Sequence, residues 1–192
     1  MAQVSTNEFK PGMKLEIESQ PFLIVNNEFV KPGKGQAFNR VRLKNLLNGR
    51  TIERTFKSGD KAEVADVQET QMRLLYVDHE QAVFMDDKTF EQTEVPHDKL
   101  GNTLQWMMED LLYDILFYKG EAVAVEPPTF LDMIITETEP GAKGDTASGR
   151  VLKPAVTESG AKVQVPIFIN QDEKVRIDTR TGEYVSRVTD KK

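Results

Sequence analysis

Residues 29–38 read Phe-Val-Lys-Pro-Gly-Lys-Gly-Gln-Ala-Phe and place Lys34 near the centre of a predicted loop. The apolar residues at both ends indicate two strands. Pro32, Gly33 and Gly35 favour a sharp turn between them, because proline fixes its own φ and glycine tolerates positive φ. No large side chain neighbours Lys34 in the sequence, so its ammonium group should project into solvent as a mobile point charge. On these residues alone, an ordinary hairpin loop with a solvated lysine is the simpler interpretation.

The strand predicted after this loop carries a row of cations, which changes that interpretation. Arg40, Arg42 and Lys44 alternate with the apolar residues Val41 and Leu43, which is the period of a strand with one buried face. Successive cations would lie about 6.6 Å apart along the strand. Like charges in one row repel each other, so the pattern favours a polyanionic partner. We call Arg40, Arg42 and Lys44 the cationic face.

The charge of the chain is segregated along its length. The 192 residues have a formal net charge of −6, yet residues 31–57 contain eight lysines and arginines and one acid, Glu53, a local charge of +7. The remainder therefore carries −13. Such segregation indicates that one end of the molecule faces phosphates while the rest stays away from them. A merely solvated basic surface is the alternative interpretation.

The composition of the chain limits the cellular compartments and the reactions that are compatible with it. The chain has no cysteine, which excludes a disulfide framework and a thiolate nucleophile and fits a reducing compartment. The first eight residues lack the basic start and apolar core of a signal peptide, and no apolar run approaches membrane-spanning length. We therefore expect a cytoplasmic protein without membrane contact.

Short alternating strands dominate the chain and predict an all-β fold of three small barrels. Five predicted strands within residues 8–57, with an Asn48-Gly49 hairpin turn, favour an N-terminal SH3-like (KOW-like) barrel. Residues 62–67 are expected to form a linker. The N-terminal domain is predicted to span residues 1–66.

The two later modules are each expected to resemble an OB fold, a five-stranded barrel. In the central module, residues 67–129, the spacing of apolar residues from Leu104 to Leu112 predicts one helix. Trp106 and Tyr113 are expected in the core rather than stacked on bases. Pro127-Pro128 marks the boundary to the C-terminal module, residues 130–192.

Enzymatic chemistry finds little support in the sequence. His79 and His97 are predicted to lie in polar surface turns without metal-ligand spacing. Residues 141–149 are rich in glycine but lack the Gly-Lys-Ser/Thr ending of a phosphate-binding loop. A lysine that forms a Schiff base needs burial to lower its pKa, and Lys34 between two glycines has none. We expect no enzyme activity, no cofactor and no metal.

The same stretches resemble the bacterial translation elongation factor P family. The similarity is carried by residues 29–38, 41–46, 55–58, 90–92, 144–149, 153–155, 163–166 and 177–188, and it is collinear over nearly the whole chain. The chain departs from the family pattern at Asp172, where the family usually has glycine. This difference leaves the geometry of that turn open.

The resemblance implies three β-barrel domains in an L shape similar to tRNA, acting as a monomer. It also implies binding to the ribosome between the P and E sites and relief of stalling at consecutive prolines. Peptidyl-tRNA, rRNA and the mRNA near the E site would be contacted. Lys34 matches the position that one family branch extends with β-lysine through a lysyl-tRNA-synthetase-like enzyme, and Lys31, Pro32, Gly33 and Gly35 would support its loop.

A second loop, Gly144-Asp145-Thr146, matches the family loop that lies near the codon in the E site. From the residues alone, an Asx-type turn in which Asp145 bonds its own backbone is an equally good interpretation. For the chain as a whole, two other classes stay open. One is an enzyme that uses Lys34 directly, and the other is a general RNA-binding barrel protein or a paralogue similar to elongation factor P.

Overall fold

The computed structural model describes residues 2–140 and 151–189. Sixteen strands in three sheets make up most of this described chain, so the predicted all-β fold class is confirmed. The chain divides into two compact units. One comprises the chain up to Thr70 together with Ile115–Ala124, and the other comprises Gln71–Asp114 and the chain from Val125 onward. The predicted domain boundaries at 66/67 and 129/130 stay a prediction.

Six antiparallel strands form the first sheet: β1 Gln3–Ser5, β2 Lys14–Ile17, β3 Gln20–Val30, β4 Phe38–Asn45, β5 Thr51–Lys57 and β6 Lys61–Val64. Their order is β1-β6-β2-β3-β4-β5. A short 3-10 turn, Thr6–Glu8, follows β1. The core below the sheet contains Leu15, Val41 and Leu43, all fully buried.

The linker predicted at residues 62–67 is wrong. β6 occupies residues 62–64, and its backbone pairs with β1 on one side and with β2 on the other. These partners lie about 50 or more residues away in sequence, so the local pattern of a four-residue strand did not reveal them. The predicted Asn48-Gly49 hairpin is confirmed, since β4 pairs with β5 and Gly49 has a φ of +72°.

The second sheet has five strands: β7 Val67–Val77, β8 Gln81–Met85, β9 Gln92–Pro96, β10 Leu112–Tyr118 and β11 Glu121–Glu126. Their order is β11-β10-β7-β8-β9. A short helix, α1 His97–Leu100, and a 3-10 segment, Gly101–Trp106, lie between β9 and β10.

The helix predicted from Leu104 to Leu112 is wrong. Helical structure ends at Trp106, and an irregular segment leads to Leu112. Tyr113 holds this segment from a fully buried position: its hydroxyl donates to the carbonyl of Trp106 and accepts from the amide of Met108, both over 2.8 Å. Trp106 packs into the core of the C-terminal barrel, and Met108 and Leu111 pack against the same core. Apolar residues of an irregular segment that faces this core therefore share the spacing of a helix.

Five strands close the C-terminal barrel: β12 Phe130–Thr138, β13 Leu152–Thr157, β14 Lys162–Pro166, β15 Lys174–Asp178 and β16 Glu183–Arg187. They follow one another around it as β12-β13-β14-β16-β15, with β14 and β16 parallel. Met133, Ile135, Val165 and Ile177 are fully buried in its core.

The turn before β15 contains the departure from the family pattern. Asp172 has a φ of +67°, the left-handed conformation that glycine adopts freely and aspartate tolerates better than most residues. Its amide donates to the carbonyl of Ile135 over 2.8 Å. Asp172 therefore occupies a backbone conformation that suits glycine.

Candidate nucleic-acid interface

The Lys34 loop joins the two longest neighbouring strands of the first sheet. β3 and β4 pair in antiparallel register up to Val30 and Phe38, so residues 31–37 close the connection. Beyond the loop, the amide of Ser58 donates to the carbonyl of Ala37 over 3.0 Å and ties its C-terminal end to the sheet. Backbone hydrogen bonds between paired strands therefore hold both ends of the loop in place.

Only one of the two loop glycines uses the conformational freedom predicted for both. Gly35 has a φ of +107°, whereas Gly33 does not have a positive φ. A Cβ on Gly35 would lie 3.9 Å from Cγ of Pro32, an ordinary contact, and a Cβ on Gly33 would meet open space. The requirement for glycine at position 35 is therefore one of backbone conformation, not of room.

Lys34 is exposed, as are Lys31, Gly33 and Gly35. The Lys34 side chain makes no hydrogen bond or ion pair with any residue in the described ranges. Its positive charge is therefore not neutralised by the fold that the structure describes.

The cationic face lies on β4 with the predicted alternation. Arg40, Arg42 and Lys44 are exposed, while Val41 and Leu43 between them are completely buried. The predicted strand and its two faces are confirmed, and the binding of RNA by these three residues stays a prediction.

Two carboxylates beside the cationic face were not foreseen. Arg40 lies 3.8 Å from Glu28 on β3 and 3.6 Å from Glu53 on β5. Within the described part of the chain, Arg42 and Lys44 form no ion pair. Glu28 lies outside the basic segment of the sequence and meets Arg40 only through the register of β3 and β4. Arg42 and Lys44 are therefore the more available cations for a phosphate.

Buried amide side chains support the ladder that carries the loop. Asn39 is almost completely buried and donates to Asn27 over 2.9 Å, and Asn27 in turn donates to the carbonyl of Phe9 over 3.0 Å. At the other end of β4, Asn45 donates to Gln20 over 2.6 Å. Sequence reasoning missed both, although they share the two-residue period of Val41 and Leu43 on the buried face.

Gly144, Asp145 and Thr146, the second predicted RNA-contacting loop, lie outside the described residues.

The two histidines lie apart in sequence and differ in their surroundings. His79 is exposed, but His97 is half-buried with a buried Nε2 that has no hydrogen-bond partner, so its predicted place in a surface turn is wrong.

Among the described residues, no three His, Asp or Glu side chains are grouped as a metal ion would require. Within the same ranges, no helix has both the length and the apolar character that crossing a membrane demands.

The fold and the site together define a class: an all-β protein that presents an exposed lysine loop beside a cationic strand. Three family models cover this chain in succession. Residues 5–62 match the elongation factor P KOW-like domain, residues 67–125 the elongation factor P OB domain, and residues 131–187 the C-terminal domain of elongation factor P.

Curated relatives match over the full length. Elongation factor P 2 of Protochlamydia amoebophila is 61% identical over 189 residues, which are 98% of this chain and 100% of the relative. Elongation factor P 2 of Chlamydia trachomatis is 59% identical with the same coverage. The chain belongs to the elongation factor P family and is a translation elongation factor.

Two solved structures of lower identity share the fold. A translation initiation factor 5A from Methanococcus jannaschii has a TM-score of 0.50 and 23% identity, covering 65% of this chain and 95% of its own. A protein of the same factor family from Naegleria fowleri has a TM-score of 0.53 and 15% identity, with 66% and 98% covered. At these identities the similarity shows a common fold.

Proposed function

We propose that this factor binds the ribosome between the P and E sites and promotes peptide-bond formation at consecutive prolines. In this proposal the Lys34 loop positions peptidyl-tRNA. The observation that carries it is the placement of Lys34: an exposed, unpaired cation on a short loop whose two ends are joined as a strand pair.

The proposed mechanism is catalysis by orientation. Holding reacting groups in a productive geometry can contribute about 7–11 kcal/mol to lowering a barrier in favourable cases. A cation beside the phosphates at the end of peptidyl-tRNA would restrict that end without taking part in bond making. The chemistry would remain with the ribosome, which agrees with the expectation that this protein is not itself an enzyme.

The cationic face would lie along RNA phosphates of the tRNA and rRNA. Arg42 and Lys44 have no carboxylate partner in the described chain, so binding would not require an internal ion pair to break. Neutralising phosphates releases condensed counterions, which makes such binding depend on salt.

Lys34 is also the proposed site of covalent extension by a lysyl-tRNA-synthetase-like enzyme. Its exposure would give such an enzyme access to Nζ, and an added lysyl group would lengthen the reach of the positive charge. An intact-mass measurement on protein from the native host tests whether Lys34 is modified and with which group.

The loop Gly144-Asp145-Thr146 is proposed to contact mRNA at the E site, because a carboxylate accepts hydrogen bonds from the amino groups of unpaired bases. Asp145→Ala and Thr146→Ala should weaken binding to stalled ribosomes while modification of Lys34 continues. Equal binding of Asp145→Ala to every E-site codon would contradict this role.

Competition with deacylated tRNA tests the proposed ribosomal position. Ribosomes with peptidyl-tRNA in the P site should bind the factor when the E site is empty and lose it as deacylated tRNA fills the E site. Binding that is unaffected by E-site tRNA would contradict the proposal and favour a general RNA-binding protein. We further propose that the factor acts in the cytoplasm as a monomer.

A further inference from the structure

Phe90 is the most exposed large hydrophobic side chain in the described part of the protein. Its exposed fraction is 71%, in the turn between β8 and β9. Exposing an aromatic ring to water is unfavourable, and neither core formation nor the Lys34 loop requires it at this place. A ring of this size can provide a large contact area to a partner.

The backbone at Phe90 is in a conformation that disfavours an aromatic residue. Its φ is +61°, in the left-handed region where a Cβ crowds the following carbonyl. Six residues other than glycine have a positive φ in the described chain, and Phe90 is the only apolar one. Glycine or asparagine would suit the turn better, so the turn alone does not account for the phenylalanine.

The turn is braced by an internal hydrogen-bond network. The amide of Phe90 donates to the carbonyl of Asp86 over 2.8 Å, and the carboxylate of Asp86 accepts from the amides of Lys88 and Thr89. The next residue, Asp87, forms a bidentate ion pair with Arg73 on β7, with distances of 2.6 and 2.9 Å. The hydrogen bonds of the turn therefore fix the backbone that exposes Phe90. Binding of a partner would cost little conformational entropy in this turn.

The charge around Phe90 has the sign opposite to that of the cationic face. Residues 78–99 contain seven carboxylates and two lysines, and Arg73, which pairs with Asp87, brings their net charge from −5 to −4. Glu91 and Glu94 are exposed and form no ion pair with other described residues. These carboxylates would repel the phosphates of RNA and attract lysine and arginine side chains.

We propose that the Phe90 turn is a docking site for a basic protein. The ring of Phe90 enters an apolar pocket of that partner, and Glu91 and Glu94 pair with lysines or arginines at the rim of the pocket. This arrangement matches the usual anatomy of protein interfaces, an aromatic anchor surrounded by polar groups. It adds a protein-binding surface to a factor whose other proposed contacts on the ribosome are with RNA. The inference rests on the proposed function only for the choice of probe.

Photo-crosslinking from position 90 tests the partner class directly. The full-length protein carries p-benzoylphenylalanine at position 90 or, as the control, at the exposed Phe130, and is bound to purified 70S ribosomes of the native host. Mass spectrometry should identify a protein rich in lysine and arginine, crosslinked several-fold more from position 90 than from position 130. Crosslinks from position 90 to RNA alone, or none above the control, would overturn the inference.

Phe90→Asn separates docking from a structural role, because asparagine tolerates the left-handed conformation. Its melting temperature should equal or exceed that of the parent, while its affinity for the same ribosomes falls by about tenfold, as expected for loss of an interface anchor. A lower melting temperature with unchanged affinity would overturn the inference. If the parent protein itself does not bind ribosomes, the proposed function fails, and the crosslink from position 90 in total ribosomal protein then decides the docking site.

Discussion

Val30 and Phe38 form the last backbone pair of the β3–β4 ladder, and only residues 31–37 connect them. This short connection has to reverse the chain and leave Lys34 in solvent. Among these seven residues, Gly35 is the one whose φ is positive. The position of the lysine therefore depends on one glycine rather than on two.

Gly35→Ala should impair the loop without unfolding the domain. An alanine at a φ of +107° is strained by about 1–2 kcal/mol, which would redistribute the loop away from its conformation. We expect reduced relief of stalling in a translation assay and only a small decrease in the melting temperature, because a loop that moves away from the strained conformation releases most of this strain. The matched control is Gly33→Ala, whose Cβ meets open space without a positive φ. Equal loss of activity in both variants would contradict the assignment to Gly35.

Arg42→Ala and Lys44→Ala should each flatten the salt dependence of ribosome binding. Each lost phosphate contact should reduce the slope of log affinity against log salt by about 0.7–0.9. Arg40→Ala should have a smaller effect, because Glu28 and Glu53 already lie near its guanidinium group. Arg54→Ala is the control, since Arg54 pairs with Glu18 over 3.0 Å. A slope that stays at the parent value in all variants would show that the cationic face is only solvated.

Glu16 should make the stability of its unit depend on pH. The carboxylate of Glu16 accepts hydrogen bonds from the ammonium group of Lys119 over 3.0 Å and from the hydroxyl of Tyr118 over 2.9 Å. These hydrogen bonds hold the pKa of Glu16 below its ordinary value of 4.5. A lowered folded-state pKa stabilises the fold above the unfolded-state pKa, and this contribution is lost as the pH falls through the folded-state pKa.

The measurement is a series of melting curves for Glu16→Gln. The variant should melt at a lower temperature than the parent at pH 7, and the difference should shrink as the pH is lowered below 4.5. Glu69→Gln, which removes the more exposed pair with Lys14, should have little effect at either pH. A difference for Glu16→Gln that is independent of pH would contradict the assignment.

Asp172→Gly should stabilise the C-terminal barrel by about 0.5 kcal/mol, because relief of the left-handed strain exceeds the added freedom of the unfolded chain. Asp172→Ala should destabilise it by about 1 kcal/mol, since alanine tolerates that conformation less well. Urea unfolding followed by circular dichroism gives both values. The expected order is glycine, aspartate, alanine, and an alanine variant as stable as the glycine variant would rule out the backbone explanation.

The elements that were predicted correctly from the sequence are those determined by residues adjacent in the chain. The alternation from Asn39 to Asn45 predicted β4 with its buried and exposed faces, because a strand turns successive side chains to opposite sides. Asn48-Gly49 predicted the following hairpin, because Gly49 supplies the positive φ that the turn needs.

The features that sequence reasoning missed depend on distant partners. β6 is defined by pairing with β1 and β2, and the segment around Trp106 by packing against the C-terminal barrel. The proximity of Glu28 to Arg40 follows from the cross-strand register, which the period of one strand does not determine. The cations of the candidate site could therefore be predicted from the sequence, whereas the carboxylates and amides around them could not.

The role of Lys34 is tested most directly by translating a Pro-Pro-Pro reporter in a reconstituted system with the parent, Lys34→Ala and Lys31→Ala proteins, each produced in the native host. All three should have the same melting temperature, because both lysines are exposed. Relief of stalling is expected to fall by about tenfold or more in Lys34→Ala, since orientation by the cation is lost. Lys31→Ala should keep most of the relief. Full relief of stalling by Lys34→Ala would show that the Lys34 cation does not position peptidyl-tRNA.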